Sequence, residues 1–233
     1  MNRRDLLFGL ALAGLEIDAQ EPPSGSLYIP KPHIVEDLNV LRNFMDEFAF
    51  ADLVTAAPGI RITHIPVLLN REKTGYGSLF GHISRHNPQS EVLNGQTQAV
   101  IVFRGPQSYI SPAWYGKPDS VPTWNFAVVH ATGKPKPITD QTVLRDWLGK
   151  LIRKFEGPDS AYDFASLPQS FTAGLMGGIV GFHMDIERLE GKFKLGQERS
   201  PADKETMLKH LASARREPSM YEFASEFFKR TTG

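Results

Sequence analysis

The densest group of polar side chains in the sequence is the run 81–88, and its residue types are those that bind phosphate. The candidate ligands in it are His82, Ser84, Arg85 and Asn87. An arginine binds phosphate through two parallel hydrogen bonds, and the other side chains add further donors. Backbone N–H groups also converge where a strand ends and a helix or loop begins. The spacing supports a polar cap at a strand–helix junction equally well, so both interpretations stay open.

The segment 109–126 combines five aromatic residues with three prolines, which is typical of a stiff wall beside a flat ligand. Aromatic faces stack on planar rings, and cofactor pockets are lined by such side chains with a few polar groups. The candidates in this segment are Tyr109, Ser111, Trp114, Thr123, Trp124 and Asn125. Taken alone, the composition favours a hydrophobic plug at the end of a barrel over a ligand wall.

Two lysines and one histidine complete the set of residues whose side chains could bind a ligand or take part in chemistry. Lys192 and Lys194 lie on the same side of the chain if segment 191–199 forms a strand, because side chains alternate along a strand. Such a pair can neutralise a phosphate, although it is more often a solvated surface. His64 lies within an apolar run, where a single histidine is usually a hydrogen-bonded core residue.

The composition excludes several classes of site. The 233 residues carry 26 basic and 26 acidic side chains, so no net charge draws the chain to DNA or to an anionic membrane. The sequence has no cysteine, which rules out disulfides, thiolate zinc sites and cysteine nucleophiles. No spacing of His, Asp and Glu indicates a metal site, and no apolar run reaches the ~20 residues of a membrane-spanning helix.

The candidate residues must be positioned by short runs with strand character. Turns such as 57–59 and 73–75 separate these runs. The predicted strands cover residues 51–56, 61–70, 76–83, 98–104, 109–111, 125–132 and 178–187. Closely spaced strands joined by turns favour an antiparallel barrel or sandwich. We therefore expect a β-rich α+β fold with peripheral helices, in one domain from residue 27 to 233.

Apolar residues at helical spacing predict the helices around these strands. The predicted helices cover residues 37–48, 139–155, 203–215 and 221–229. Glu36 or Asp37 is the expected N-cap of the first helix, and Asp140 is the expected cap of the second.

The first 26 residues are set apart from the predicted domain. Arg3 and Arg4 precede the apolar run 6–15, which is the layout of an export signal. Paired arginines at this position resemble a twin-arginine signal and predict a periplasmic protein, with a cytoplasmic one as the alternative. Glu16 and Asp18 follow the run directly and no Ala-x-Ala site is present, so an extension without an export role is the other interpretation. The linker at 20–27 is rich in Pro, Gly and Ser.

Eight short segments, in this order along the chain, resemble the PaiB family. They are Tyr28–Pro30, Thr63–Pro66, Gly81–Gln89, Phe103–Pro106, Tyr109–Tyr115, Val121–Phe126, Val129–His130 and Leu189–Leu195. The resemblance covers about residues 27–211. Its most specific parts are the Ile-Ser-Pro-x-Trp-Tyr and Val-Pro-Thr-Trp-Asn motifs.

The resemblance implies an FMN-binding split β-barrel of the Greek-key type, like that of pyridoxamine-phosphate oxidases and flavin reductases. It also implies a homodimer with FMN at the subunit interface, and the family description of an FMN-binding negative transcriptional regulator. Two departures stand out. Gly196 takes the place of a serine in the family's Lys-Leu-Ser-Gln segment, and His86 stands where alanine is more usual.

Three functions remain open from the sequence. The first is an FMN-binding oxidoreductase, with Ser84, Arg85, Lys192 and Lys194 at the phosphate and aromatic residues of segment 109–126 beside the ring. No residue is identified as its general acid or base. The second is a regulator acting through DNA or a protein partner, although no helix-turn-helix or basic stripe is present. The third is a haem-binding split barrel, whose axial ligand would be one of five histidines, namely His33, His64, His82, His86 and His130.

Overall fold

Two antiparallel β-sheets form the centre of the protein, in a computed structural model that describes residues 25–72, 75–115 and 120–213. The six-stranded sheet has the order β1-β10-β7-β6-β2-β3. Its strands are β1 (Ile34–Val35), β2 (Phe50–Thr55), β3 (Arg61–Pro66), β6 (Ala99–Ile110), β7 (Thr123–Gly133) and β10 (Arg188–Lys194). The four-stranded sheet has the order β4-β5-β9-β8. Its strands are β4 (Leu68–Asn70), β5 (Ser78–Ser84), β8 (Lys136–Pro137) and β9 (Ile179–Asp185).

Four α-helices lie around the sheets in the described ranges. They are α1 (Leu38–Glu47), α2 (Gln141–Glu156), α3 (Gln169–Gly177) and α4 (Pro201–Ser213). The predicted caps are confirmed, because the Asp37 carboxylate accepts the backbone N–H groups of Asn39 and Val40 and Asp140 caps α2 in the same way. Across the described ranges, every helix is too short or too polar to cross a membrane.

The chain passes from one sheet to the other at Val67, inside the run 61–70 that the sequence predicts as one strand. Pro66 has no N–H to continue the ladder, and the Val67 N–H instead donates to the Ala49 carbonyl at 2.8 Å. Residues before this point pair with β2, and residues after it pair with β5. The break at Pro66 therefore makes this an open, split arrangement of two sheets rather than one closed barrel.

The main core lies between the facing sides of the two sheets. Its fully buried side chains include Leu53, Ile101 and Val129 from the larger sheet and Phe182 and Met184 from the smaller one. Helix α1 adds apolar residues to the same cluster. Burial of an apolar side chain contributes about 1.5–3 kcal/mol, so this cluster supplies the main driving force for joining the sheets.

Helices α2 and α3 cover the far side of the four-stranded sheet. Leu144 of α2 lies so close to Gly181 of β9 that a Cβ there would overlap it, which requires glycine at this position. Trp147 of α2 stacks on Phe80 of β5, with ring centroids 5.5 Å apart. Helix α3 was not predicted, because it contains glycines and has no side-chain cap at Pro168.

Strands β6 and β7 form a long ribbon that extends past the sheet. The sequence predicts two strands, 98–104 and 109–111, but the structure joins them into β6 through a bulge between Arg104 and Gln107. A bulge increases twist and redirects the strand. The last part of the ribbon, 108–110 with 123–125, pairs only within itself among the described residues and carries Tyr109 and Trp124.

Most of the predicted elements are confirmed, with boundaries shifted by a few residues. Segment 191–194 is confirmed as part of a strand, β10, and the hairpin at 57–59 joins β2 to β3. The predicted export signal at the N-terminus, the start of the turn at 73–75 and the helix at 221–229 lie outside the described residues.

A buried glutamine ties the turn after β5 to two strands, β2 and β3. Gln89 has no exposed surface. Its side-chain amide nitrogen donates to the carbonyls of Leu53 and Arg61 and to the Thr55 hydroxyl, at 3.1–3.3 Å, and its oxygen accepts from the Thr63 hydroxyl at 2.5 Å. Both the nitrogen and the oxygen of the amide are therefore engaged inside the protein.

Replacing Gln89 with leucine is expected to lower the free energy of unfolding by about 2–4 kcal/mol, because buried partners lose their hydrogen bonds. Urea unfolding followed by circular dichroism measures this change. The matched control is Gln98→Leu, at an exposed position, which we expect to alter stability by less than about 0.5 kcal/mol. Equal effects of the two substitutions would contradict the role of Gln89.

Candidate functional site

The polar run after β5 is used largely for internal contacts. The Arg85 guanidinium donates to the carbonyls of Gly177 and Ile179, at 2.7 and 2.9 Å, and so caps the end of α3. Asn87 caps the following turn and donates to the Thr63 hydroxyl at 2.8 Å. Ser84 is exposed, and its hydroxyl accepts from the backbone N–H of His86. This geometry matches the polar cap that the sequence left open as the alternative to a phosphate site.

His82 lies beneath the α2–α3 layer rather than in an open pocket. It pairs with Gly181 on β9, and Leu144 of α2 covers the side of the sheet to which the His82 side chain points. Its Nδ1 atom is buried and has no hydrogen-bond partner among the described residues. Burial lowers the pKa of the His82 ring below its usual value, because the charged form loses its hydration.

The aromatic candidates are divided between the two sides of the β6–β7 ribbon. Tyr109 and Trp124 pair directly across it and meet edge to face, with ring centroids 6.1 Å apart. Both rings are about half exposed. Asn125 points to the opposite side, because side chains alternate along a strand, and it is buried near α4. Trp114, in the turn that Ser111 caps, also packs against α4.

The side of the six-stranded sheet that carries Tyr109 and Trp124 is called here the outer face. Its apolar members alternate with core residues along each strand, and none belongs to the buried core. They are Phe50, Val54, Ile62, Val100, Val102, Tyr109, Trp124, Phe126 and Val128. Phe50 is 68% exposed and Ile62 is 55% exposed. Exposed apolar residues grouped on one face of a sheet favour an interaction site.

Lys192 and Lys194 lie on this outer face, beside the aromatic pair. They pair with Val128 and Phe126, two residues apart along β10, which places their Cα atoms about 7 Å apart. The Lys192 ammonium donates to the Tyr28 carbonyl at 2.9 Å and lies 5.5 Å from the centre of the Phe126 ring.

No carboxylate in the described part of the chain neutralises either lysine. The Lys194 ammonium donates to the Thr123 hydroxyl. Glu190, on the same strand, instead accepts from Arg188 at 3.2 Å and from Ser26. Burial, and secondarily the charge of Lys194, holds the pKa of Lys192 below its usual value. The two ammonium groups therefore form an uncompensated cationic pair, which favours an anionic ligand.

A second polar feature of the outer face was missed by sequence reasoning. The Asp52 carboxylate accepts from the His64 ring at 2.5 Å and from the Arg104 guanidinium at 3.0 Å. The His64 side chain is 60% exposed, so the expectation of a core residue is wrong, although the expected hydrogen bond is present. Only the register of β2, β3 and β6 brings these three residues together, since they are distant in sequence.

The polar run and the aromatic pair lie far apart within one chain. Asn87 contacts Thr63, which is paired through Leu53 with Ile101 of β6. Eight residues of strand then separate Ile101 from Tyr109, a distance of about 25 Å. The candidate residues therefore form two groups and do not surround one pocket. Within the ranges that the structure describes, no group of three His, Asp or Glu residues is arranged to hold a metal ion.

Comparison with known proteins relates the chain to a flavin-binding family. Residues 27–188 match the family described as "Putative FMN-binding domain". The "Protease synthase and sporulation protein PAI 2" of Bacillus subtilis (strain 168), the PaiB protein, is 31% identical over 187 residues, covering 79% of this chain and 89% of the relative. An uncharacterised protein of Emericella nidulans is 28% identical over 223 residues, covering 78% of this chain and 89% of that protein.

Solved structures of low sequence identity share the fold. The FAD and heme binding protein of Mycobacterium smegmatis has a TM-score of 0.55 at 14% identity, covering 79% of this chain and 81% of that one. A flavocytochrome from Azotobacter vinelandii has a TM-score of 0.51 at 13% identity, covering 76% and 77%. The predicted split-barrel fold with flanking helices is therefore confirmed.

Because the His82 ring is buried, we expect the free energy of unfolding to decrease at acid pH. Because its folded-state pKa is lowered, the unfolded chain takes up the proton first as the pH falls below about 6.5, and the free energy of unfolding decreases. One histidine contributes at most about 1.4 kcal/mol per pH unit. His130, whose pKa burial also lowers against the opposing effect of Glu190, adds to the decrease.

Urea unfolding between about pH 7.5 and 5.5 measures this dependence. We expect His82→Leu to flatten the fall in stability with decreasing pH, while the exposed-site control His86→Leu leaves the buried ring in place and keeps the wild-type slope. An unchanged slope in His82→Leu would show that protonation of His82 does not destabilise the fold.

Proposed function

Because the chain belongs to the PaiB family of FMN-binding domains, we propose that it binds FMN on its outer face and acts as a flavin-dependent oxidoreductase. The observation that carries this proposal is the unneutralised pair Lys192 and Lys194 beside the exposed pair Tyr109 and Trp124. A phosphorylated flat ring requires these two kinds of surface next to each other.

The lysine pair fits the phosphate end of the cofactor. A phosphate dianion replaces the repulsion between the two ammonium groups with attraction, and it accepts charge-assisted hydrogen bonds from both. The hydrogen bonds that now hold Lys192 and Lys194 go to neutral oxygens, those of Tyr28 and Thr123. Exchange of neutral acceptors for phosphate oxygens therefore strengthens the contacts of both lysines.

The aromatic pair fits the ring end. Trp124 is a diagonal neighbour of Lys194 across β7 and β10, so phosphate and ring sites are adjacent on one face. FMN would supply the capacity to accept and donate electrons, while the protein supplies binding and orientation. The outer face offers Trp124 and Tyr109 for contact with the ring, and apolar neighbours such as Phe126 that limit access of water.

We further propose that the outer face joins two copies of the chain. Its exposed apolar residues, among them Phe50 and Ile62, favour burial against a partner, and isologous dimers are the commonest assemblies.

The cofactor site is tested by titrating the protein with FMN and with riboflavin, which lacks the phosphate. We expect the double substitution Lys192→Met with Lys194→Met to weaken FMN binding at least about tenfold, the loss of about 1.4 kcal/mol of charged hydrogen bonding, and to leave riboflavin affinity within about twofold. The control Lys150→Met lies on α2, remote from the outer face, and keeps both affinities.

Equal losses for the two ligands would refute a phosphate site at these lysines. A protein that retains no flavin after desalting, but develops a Soret band on titration with haem, would replace the flavin function with haem binding.

The assembly is tested by light scattering coupled to size-exclusion chromatography. We expect a wild-type dimer, and a monomer for Ile62→Glu, because a buried unpaired carboxylate opposes association. The control Phe171→Glu changes an equally exposed apolar residue on α3, on the far side of the molecule, and leaves the dimer intact. A monomeric wild type, or a dimer that survives Ile62→Glu, would reject the outer face as the interface.

A further inference from the structure

Helix α4 covers the side of the β6–β7 ribbon opposite the aromatic pair, and it is weakly anchored. Met207 is the one buried residue of the described helix, whereas α1 and α2 each bury three apolar side chains. The Met207 side chain inserts beside Tyr115 and Ile110. Among the described residues of the helix, the flexible Met207 side chain is buried and Leu211 packs, partly buried, against the same cluster.

Two polar groups beside Met207 are hydrogen-bond donors, and the acceptor available to them is the Met207 sulfur, which is a poor one. The buried Asn125 amide nitrogen lies 3.3 Å from the Met207 sulfur, and the Tyr115 hydroxyl lies 3.8 Å from it. Within the described residues neither side chain has another recorded hydrogen bond. A thioether accepts hydrogen bonds only weakly, so both donors are buried without adequate compensation for their lost hydration.

Beside Met207, a side-chain ring of α4 stacks on a tryptophan with the geometry that a bound planar ligand would have. The His210 ring of α4 lies on Trp114 with centroids 5.0 Å apart and planes at 10°. The Arg199 guanidinium lies 4.4 Å from the centre of the Tyr115 ring. Two flat surfaces and two directed donors thus surround the space that α4 fills with Met207 and His210.

The connection between β10 and α4 contains a glycine that could act as a hinge for the helix. Gly196 has a φ of 77°, a conformation that favours glycine. Ser200 precedes the helix, and its hydroxyl accepts the Asp203 N–H at 3.2 Å, so the helix has its own cap and does not need the ribbon to keep its first turn.

We propose that α4 occupies a second ligand site, for a planar aromatic ring that carries a carbonyl oxygen, and that the ligand displaces Met207 and His210. The carbonyl oxygen would accept from the Asn125 amide and the Tyr115 hydroxyl in place of the sulfur. The ring would stack on Trp114 in place of the imidazole. Asn125 and Tyr115 would exchange a weak hydrogen bond to sulfur for a stronger one to oxygen. Trp114 would exchange one stacked ring for another in the same position.

This site is separate from the flavin site proposed above and does not depend on it. Asn125 and Trp124 are neighbours in sequence, and the alternation of β7 directs them to opposite sides of the ribbon. A ligand below α4 would therefore contact neither Lys192 nor Lys194 and needs no phosphate.

The probe for the experiment is menadione, a planar ring with two carbonyl oxygens and no phosphate. The chain has no cysteine, so the quinone cannot attach by thiol addition. Calorimetric titration is expected to give at least about tenfold tighter binding to Met207→Ala with His210→Ala than to the wild type. Adding Asn125→Leu to that variant should reverse the gain. The matched control Leu208→Ala changes an exposed residue of the same helix and should bind as the wild type does.

A second measurement uses the unaltered protein, which avoids any loss of folding in the variants. Hydrogen exchange followed by mass spectrometry should show faster exchange of residues 201–211 when menadione is present, because the ligand displaces α4, and unchanged exchange in α2. Unchanged exchange of α4 at saturating menadione would overturn the proposal. So would menadione binding that Asn125→Leu leaves intact, since the carbonyl would then not depend on the amide.

Discussion

Successive side chains of β6 and β7 point to opposite sides of the six-stranded sheet, and this alternation defines both surfaces of the ribbon. On one side Ile101 and Val129 enter the core between the sheets. On the other side Val102 and Val128 lie only half buried, on the outer face. Past the bulge at Arg104 the same alternation continues without a second sheet beneath it. The ribbon consequently has two surfaces of different chemistry, one open and one covered by α4.

Charge compensation differs among the polar groups of the outer face. Asp52 is satisfied by both His64 and Arg104, and Glu190 is satisfied by Arg188 and Ser26. The carboxylates are thus already engaged, and the lysines of β10 are left with neutral oxygens. An anion at the lysines would therefore be attracted without first breaking an internal ion pair, which is the electrostatic basis of the proposed phosphate site.

Local signals in the sequence predicted most of the secondary structure. The N-caps Asp37 and Asp140 and the apolar spacing behind them located α1 and α2, because capping and amphipathic burial are local properties. Helix α3 lacked such a cap and was missed. The run 61–70 was predicted as one strand, because its division at Pro66 depends on which sheet each half joins. Strand β6 was predicted as two pieces, since a bulge depends on the partner strand.

The sequence by itself determined the family, the split-barrel fold and the kinds of residue available for binding a phosphorylated ring. It also placed Lys192 and Lys194 on one side of a strand, since that follows from backbone geometry alone. Tertiary structure decided which of these residues stand together. It engaged Arg85 with the end of α3, separated Trp114 from Trp124, and assembled Asp52, His64 and Arg104 from three strands. The physical reason is that strand register and helix packing are set by long-range burial, which no local pattern encodes.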